Sequence, residues 1–154
     1  MTKQSASGLA TNLFLVVDVH KAFREVLRFL LERWFPDFDL TEASTCTEAW
    51  EVLRDRAPAL VVLDHELVNG GGLDLIRRIR KVFSGTPIIV MSNQDDLENQ
   101  VSVCEAGATR FCSKWQFEME TARRVLEKVL RRRTVLPLAR RRGTERGNGD
   151  EAKA

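Results

Sequence analysis

A run of four apolar residues that ends in an acidic residue constrains the fold of this chain more than any other stretch. The run covers residues 60–63, Asp64 follows at once, and three consecutive glycines lie at residues 70–72. A continuous apolar run of this length is typical of a strand buried on both faces of a parallel sheet. Such sheets hold their binding sites at the carboxyl ends of the strands. Asp64 is therefore the first candidate functional residue, although aspartate here is equally typical of a turn or a helix cap.

Four further stretches have strand character, and apolar residues at helical spacing follow each of the five strands. The other strands are predicted at residues 13–17, 39–44, 87–91 and 109–113. Proline at positions 36 and 58, a capping box at residues 45–48 and Gly107 mark helix ends. Because strands that alternate with helices need right-handed crossovers, the strands must run parallel. The sequence predicts an α/β fold: a doubly wound, five-stranded parallel sheet with helices on both faces.

Four of the predicted strands end in residues that carry charge or a hydroxyl group. These residues are Asp18, Asp64, Ser92 and Lys114. In a doubly wound sheet such ends lie together near the point where the strand order reverses. Two carboxylates, a hydroxyl and an ammonium at one edge predict a site for an anion together with a cation.

Composition predicts a single domain with flexible ends. A chain of 154 residues with 44% apolar and 30% charged residues can bury a substantial core. We expect a flexible N-terminus at residues 1–12, a domain at 13–133 and a basic, disordered tail at 134–154. No apolar run approaches the roughly 20 residues of a membrane span, and three cysteines without C-x-x-C spacing indicate reduced thiols. These features predict a cytoplasmic protein.

The motifs at the strand ends resemble those of the receiver domain of bacterial two-component response regulators, which has a flavodoxin-like fold. They are Val16-Val17-Asp18, Val62-Leu63-Asp64 with Gly72 eight residues later, Val90-Met91-Ser92, Ala106-Gly107-Ala108 and Ser113-Lys114. The resemblance implies that Asp64 accepts a phosphoryl group from a histidine kinase or a phosphotransfer protein. It also implies that Ser92 and Lys114 bind the phosphoryl oxygens, and that Asp18 and Asp64 hold Mg²⁺. Such a chain is a signalling module rather than an enzyme.

The chain departs from that family at several positions. Val19 replaces the second acid of the metal-binding pair, so we expect weak Mg²⁺ binding, with Glu66 as a candidate replacement carboxylate. Trp115 follows Lys114 where the family has proline, so that peptide bond should be trans. The glycines at 70–72 predict a looser loop than the family has. The resemblance implies that Ser92 and Phe111 form the switch, although Phe111 can equally be a core aromatic.

Partners and alternative functions follow from the same comparison. A receiver would contact a downstream protein through its last helix and fifth strand, or form a homodimer, without a membrane role. A degenerate receiver that works without phosphorylation is the main alternative, since Val19 favours it. A phosphohydrolase of the haloacid dehalogenase type is a weaker one, because its motif needs aspartate where Glu66 stands and lies on the first strand of its domain, whereas some 60 residues precede Asp64 here. We discount a metal ligated by His20 or His65, which closely follow Asp18 and Asp64, since His65 should point away from the Asp64 carboxylate. The sequence identifies neither the kinase nor the pathway.

The basic tail generates the first prediction. Residues 131–154, which are the tail and the three arginines just before it, contain eight basic and three acidic side chains, a net charge of +5. This end of the chain should therefore bind anionic surfaces, nucleic acid included, weakly and only at low salt. Deleting residues 136–154 should leave the thermal midpoint of unfolding nearly unchanged, as measured by circular dichroism. A collapse of the domain, or nucleic acid binding that persists at high salt, would show a structural or specific role.

Overall fold

Two central strands with apolar side chains on both faces organise the domain. The computed structural model describes residues 12–93, 97–114 and 122–131, and the statements below concern these residues. Five parallel strands form one sheet in the order β2-β1-β3-β4-β5. The strands are β1 Leu13–Val17, β2 Asp39–Ala43, β3 Pro58–Asp64, β4 Ile88–Ser92 and β5 Arg110–Ser113. The reversal of strand order at β1 and β3 is that of a doubly wound sheet, and it confirms the predicted fold.

Helices connect the strands, as the apolar spacing predicts. They are α1 Lys21–Trp34, α2 Cys46–Asp55, α3 Gly72–Val82 and α4 Leu97–Ala106, with α5 helical over residues 122–131. The capping box is present at the start of α2, where the Thr45 hydroxyl accepts from the Glu48 backbone N–H at 3.1 Å. The Glu48 carboxylate turns back to Ser44 and accepts from both its backbone N–H and its hydroxyl. No described helix has the length and apolarity to cross a bilayer.

The core consists of two apolar clusters, one on each face of the sheet. Side chains alternate across a strand, so Leu15 and Val17 join one cluster while Phe14 and Val16 join the other. The first cluster packs on α2, α3 and α4, and the second packs on α1 and α5. Burial on both faces explains why the central strands read as continuous apolar runs rather than as alternating ones.

The register of the strands brings the predicted functional residues to one edge. Val17 pairs with Leu63, Asp64 pairs with Met91, and Ser92 pairs with Ser113. The residues that follow or end these strands therefore lie side by side at the carboxyl edge of β1, β3, β4 and β5.

The segment after Asp64 is more ordered than three consecutive glycines predict. Residues His65–Gly70 form a 3-10 helix, and Gly71 takes a left-handed conformation with φ of 102° before α3 begins at Gly72. Gly72 is buried, and a Cβ there would lie 2.7 Å from the Leu67 carbonyl oxygen. Gly72 is therefore needed for a close backbone approach rather than for conformational freedom, and the expectation that this loop is looser than the family's stays a prediction.

Three expectations fall on parts of the chain outside the described residues. These are the flexible residues 1–11, the trans bond between Lys114 and Trp115, and the disordered tail at 134–154. They stay predictions.

The close approach at Gly72 predicts that alanine destabilises the fold more at position 72 than at position 85. Gly72→Ala should lower the free energy of unfolding by about 1–3 kcal/mol, because the new methyl group meets backbone that must shift. Gly85→Ala is the matched control, since a Cβ there meets nothing within 4 Å, and its effect should stay within about 0.5 kcal/mol. Urea unfolding curves measure both. Equal effects would contradict the packing at Gly72.

Candidate functional site

The carboxyl edge of the sheet holds two buried carboxylates that share one ammonium group. The Lys114 Nζ lies 2.8 Å from Asp18 Oδ2 and 3.3 Å from Asp64 Oδ1. Both aspartates are 2% exposed, and the Lys114 side chain is 6% exposed. The three residues come from the ends of β1, β3 and β5, as the sequence predicts for three of its four site candidates.

The position of Lys114 is set by backbone and by an aromatic ring. Its backbone N–H donates to the Ser92 carbonyl oxygen at 2.7 Å, which continues the pairing of β4 and β5 past Ser113. Its Nζ lies 4.2 Å from the centre of the Phe23 ring on α1, where the negative face of the ring attracts a cation. Lys114 is thereby aimed from β5 across to the ends of β1 and β3.

Burial determines the electrostatics of Asp18. Loss of hydration is the largest effect and raises the pKa of Asp18, and the negative charge of Asp64 adds to the rise. The hydrogen bond from Lys114 and the one from the His20 backbone N–H, at 2.7 Å, oppose that rise. The arrangement thus holds a carboxylate in a place where a negative charge costs free energy unless cations are near.

Asp64 has one oxygen engaged and one open. Its Oδ1 accepts from the Glu66 backbone N–H at 3.2 Å and also faces Lys114. Its Oδ2 is buried and has no hydrogen-bond partner among the described residues. Buried carboxylate oxygens are normally paired, so an orphaned one indicates a place for an absent ligand.

A histidine and a glutamate lie above the buried aspartates. The His20 Nε2 and a Glu66 carboxylate oxygen are 2.8 Å apart, and both side chains are half-exposed. Ligand atoms of His20, Asp64 and Glu66 all lie within 4.8 Å of one another. The sequence named Glu66 as a replacement carboxylate, but His20 was discounted.

The strand register contains the signal that would have found His20. Asp18 and Asp64 follow the paired residues Val17 and Leu63, and His20 and Glu66 each lie two positions further on. Both residues lie just past these strand ends, His20 at the N-cap of α1 and Glu66 in the 3-10 helix, so the pairing of β1 with β3 brings them close. Recognising the pair from sequence requires the register between β1 and β3, which apolar patterning alone does not supply.

Phe111 and Ser92 occupy positions beside this group. Ser92 is 1% exposed at the end of β4. Phe111 is half-buried on β5, packs against the cluster under α3 and α4, and meets the His65 ring edge-on with 5.8 Å between ring centres. The side chain of His65 thus packs on Phe111, in line with an imidazole directed away from the Asp64 carboxylate. Val19, where a second acid was expected from the resemblance, is 49% exposed.

Comparison with known proteins decides the family. A model of the response regulator receiver domain matches residues 14–128. The phosphate regulon transcriptional regulatory protein PhoB of Pseudomonas aeruginosa is 31% identical over 120 residues, which cover 77% of this chain and 51% of that protein. The chain belongs to the response regulator receiver domain family. It spans about half the length of the curated relatives it matches.

Solved structures agree with the receiver fold. The receiver domain of NtrX from Brucella abortus is 30% identical, with a TM-score of 0.67 over 77% of this chain and 98% of that one. A CheY-like receiver domain from Methanospirillum hungatei JF-1 shares 21% identity, with a TM-score of 0.73 over 82% of this chain and 98% of that one. Membership of the receiver domain family therefore supports a signalling role for this domain.

The donor set at the edge of this receiver domain fits a divalent cation. Asp64 and Glu66 supply carboxylate oxygens close to a His20 ring nitrogen, and the buried Asp64 Oδ2 has no partner among the described residues. The Asp18 oxygens accept from the His20 backbone N–H and from Lys114. Mg²⁺ binds oxygen ligands, and it is usually held by one or two protein carboxylates together with water molecules. Because Val19 replaces the second acid of the family's pair, this site has one negative charge fewer than that pair supplies.

The substitution at position 19 predicts a gain of Mg²⁺ affinity. Val19→Asp should tighten binding roughly tenfold or more, because a second carboxylate beside Asp18 adds attraction to the cation. Isothermal titration calorimetry against wild type measures the change. Glu66→Gln, titrated alongside, distinguishes the accounts: a loss of affinity there with no gain at Val19→Asp would mean that Glu66 already fills the gap.

Proposed function

We propose that Asp64 is the phosphoacceptor of this receiver and takes the phosphoryl group from a histidine kinase or a phosphotransfer protein. The observation that carries the proposal is the Asp64 carboxylate, whose Oδ1 lies 3.3 Å from the Lys114 Nζ and whose buried Oδ2 has no partner among the described residues. A carboxylate can act as the covalent nucleophile, and the ammonium beside it offsets the negative charge of the incoming phosphoryl group.

The transfer is an exchange of one bond to phosphorus for another. An Asp64 carboxylate oxygen forms the new P–O bond while the P–N bond of the donor phosphohistidine breaks, and its electron pair returns to the imidazole nitrogen. The product is an acyl phosphate on Asp64. Lys114 neutralises charge on the phosphoryl oxygens, and the Ser92 hydroxyl donates to one of them. A bound divalent cation would add positive charge there, held by Asp18 and Asp64, with Glu66 in place of the absent second acid.

Signal output in the proposed function runs through protein contact on the side of β5 and α5. Phe111 joins the two regions, since its ring meets His65, the neighbour of Asp64, and also lines a groove between α4, β5 and α5. The groove has a volume of about 530 Å³, and Arg110 and Lys128 give its rim positive charge. This surface suits a partner segment that carries acidic side chains. Ser92 and Phe111 would form the switch between the site and this surface.

A second candidate function rests on the same buried ion pairs. Lys114 pairs with both carboxylates and so joins the ends of β1, β3 and β5. Together with Val19 at the metal-binding pair, these ion pairs suit an interaction module that works without phosphorylation.

The proposed acceptor predicts a specific covalent mass change. Incubation of the wild type with acetyl phosphate and saturating Mg²⁺ should add one phosphoryl group, read by intact mass, and Asp64→Asn should abolish it. Asp74→Asn is the matched control, since Asp74 is an exposed acid on α3 that pairs only with Arg77 among described residues. Wild-type mass that stays unchanged over hours would refute the acceptor role and favour the interaction module.

A further inference from the structure

The cluster of His20, Asp64 and Glu66 contains an imidazole where receiver chemistry needs only oxygen ligands. Their ligand atoms lie within 4.8 Å of one another, and His20 Nε2 faces the Glu66 carboxylate at 2.8 Å. His20 and Glu66 are half-exposed, so a metal ion can reach them from solvent, whereas Asp64 forms the buried floor.

An independent observation points to a ligand at this place. The Asp64 side chain is 1% exposed, and its Oδ2 has no partner among the described residues although its Oδ1 is engaged by Lys114 and the Glu66 backbone N–H. Leaving a buried carboxylate oxygen without a partner costs free energy, which a bound cation would recover.

The charges of the site also favour a cation. Asp18, Asp64 and Glu66 contribute three negative charges, against one from the Lys114 ammonium. Arg24 lies nearby and donates to the Asp18 backbone carbonyl at 2.6 Å. With its positive charge included, these five side chains carry an excess of one negative charge. Neutral imidazole adds a donor without adding charge. The cluster is thus anionic and carries mixed nitrogen and oxygen ligands.

Ligand type then determines which cation binds best. Mg²⁺ prefers oxygen ligands and keeps much of its water, whereas imidazole suits first-row transition metals. Val19 has removed an oxygen ligand from the site, while His20 supplies a nitrogen. We propose that His20, Asp64 and Glu66 bind a divalent transition-metal ion, and that His20 makes this receiver prefer such an ion to Mg²⁺. The inference rests on the proposed function in placing the cation beside the phosphoacceptor Asp64.

Binding of Co²⁺ and Mg²⁺ alone, without a phosphodonor, tests the preference. Calorimetric titrations should use the full chain in a Cys104→Ser background, because the exposed Cys104 thiol is an alternative transition-metal ligand. Transition metals bind most mixed sites more tightly than Mg²⁺, so the decisive quantity is the dependence of each affinity on His20. His20→Gln should weaken Co²⁺ binding roughly tenfold or more and leave Mg²⁺ binding within about threefold. The visible absorption of bound Co²⁺ should change with the loss of the nitrogen ligand.

Two further variants make the test sharp. His65→Gln removes the other histidine, whose ring packs on Phe111, and should leave both affinities unchanged. Val19→Asp should shift the preference toward Mg²⁺. Equal effects of His20→Gln on Co²⁺ and Mg²⁺, or no effect on Co²⁺, would overturn the proposal. Failure here is distinguishable from failure of the phosphoacceptor role, because the intact-mass experiment is done with Mg²⁺ and does not depend on His20.

Discussion

The contact of Lys114 with Asp18 and Asp64 is the interaction on which the rest of this edge depends. Two carboxylates buried side by side repel each other and lose hydration, and removing the shared ammonium would leave both unpaired. The distances of 2.8 and 3.3 Å require that the ends of β1, β3 and β5 reach the same place. Strand order and register are therefore constraints on the chemistry as much as on the fold.

The sequence predicted the sheet well because its signal is local. Leu13–Val17 and the run before Asp64 are apolar on both faces, and a parallel sheet covered by helices is the structure that buries both. The Thr45 cap could also be predicted, since its partners lie within four residues. Gly72 could not, because its need for glycine comes from the Leu67 carbonyl after a 3-10 turn that composition does not specify. The strand-end residues Asp18, Asp64, Ser92 and Lys114 were found for the same local reason that found the strands.

The contacts that the sequence missed are those between separate elements. His20 meets Glu66 across 46 positions of the chain, and Lys114 meets Phe23 across the domain. Periodicity in the sequence predicts neither contact. The first depends on the register between β1 and β3, and the second depends on how α1 packs on the sheet. The sequence alone shows that Val19 departs from the family's motif, whereas the place of His20 beside Asp64 and Glu66 is visible only in the folded structure.

The same geometry connects the site to the surface that would carry its signal. Asp64 ends β3, His65 begins the next turn, and its ring touches Phe111 beside the groove of α4, β5 and α5. A phosphoryl group on Asp64 brings new negative charge and several strong acceptor oxygens to the Lys114 ammonium. Those oxygens would compete with the Asp18 carboxylate for the Lys114 ammonium, so a new charge at the end of β3 would change the contact that holds the end of β5 to the end of β1. A buried residue shared by two acids can respond in this way because it has two alternative partners at similar distances. In the proposed function, that choice of partner is the bistable element that phosphorylation shifts.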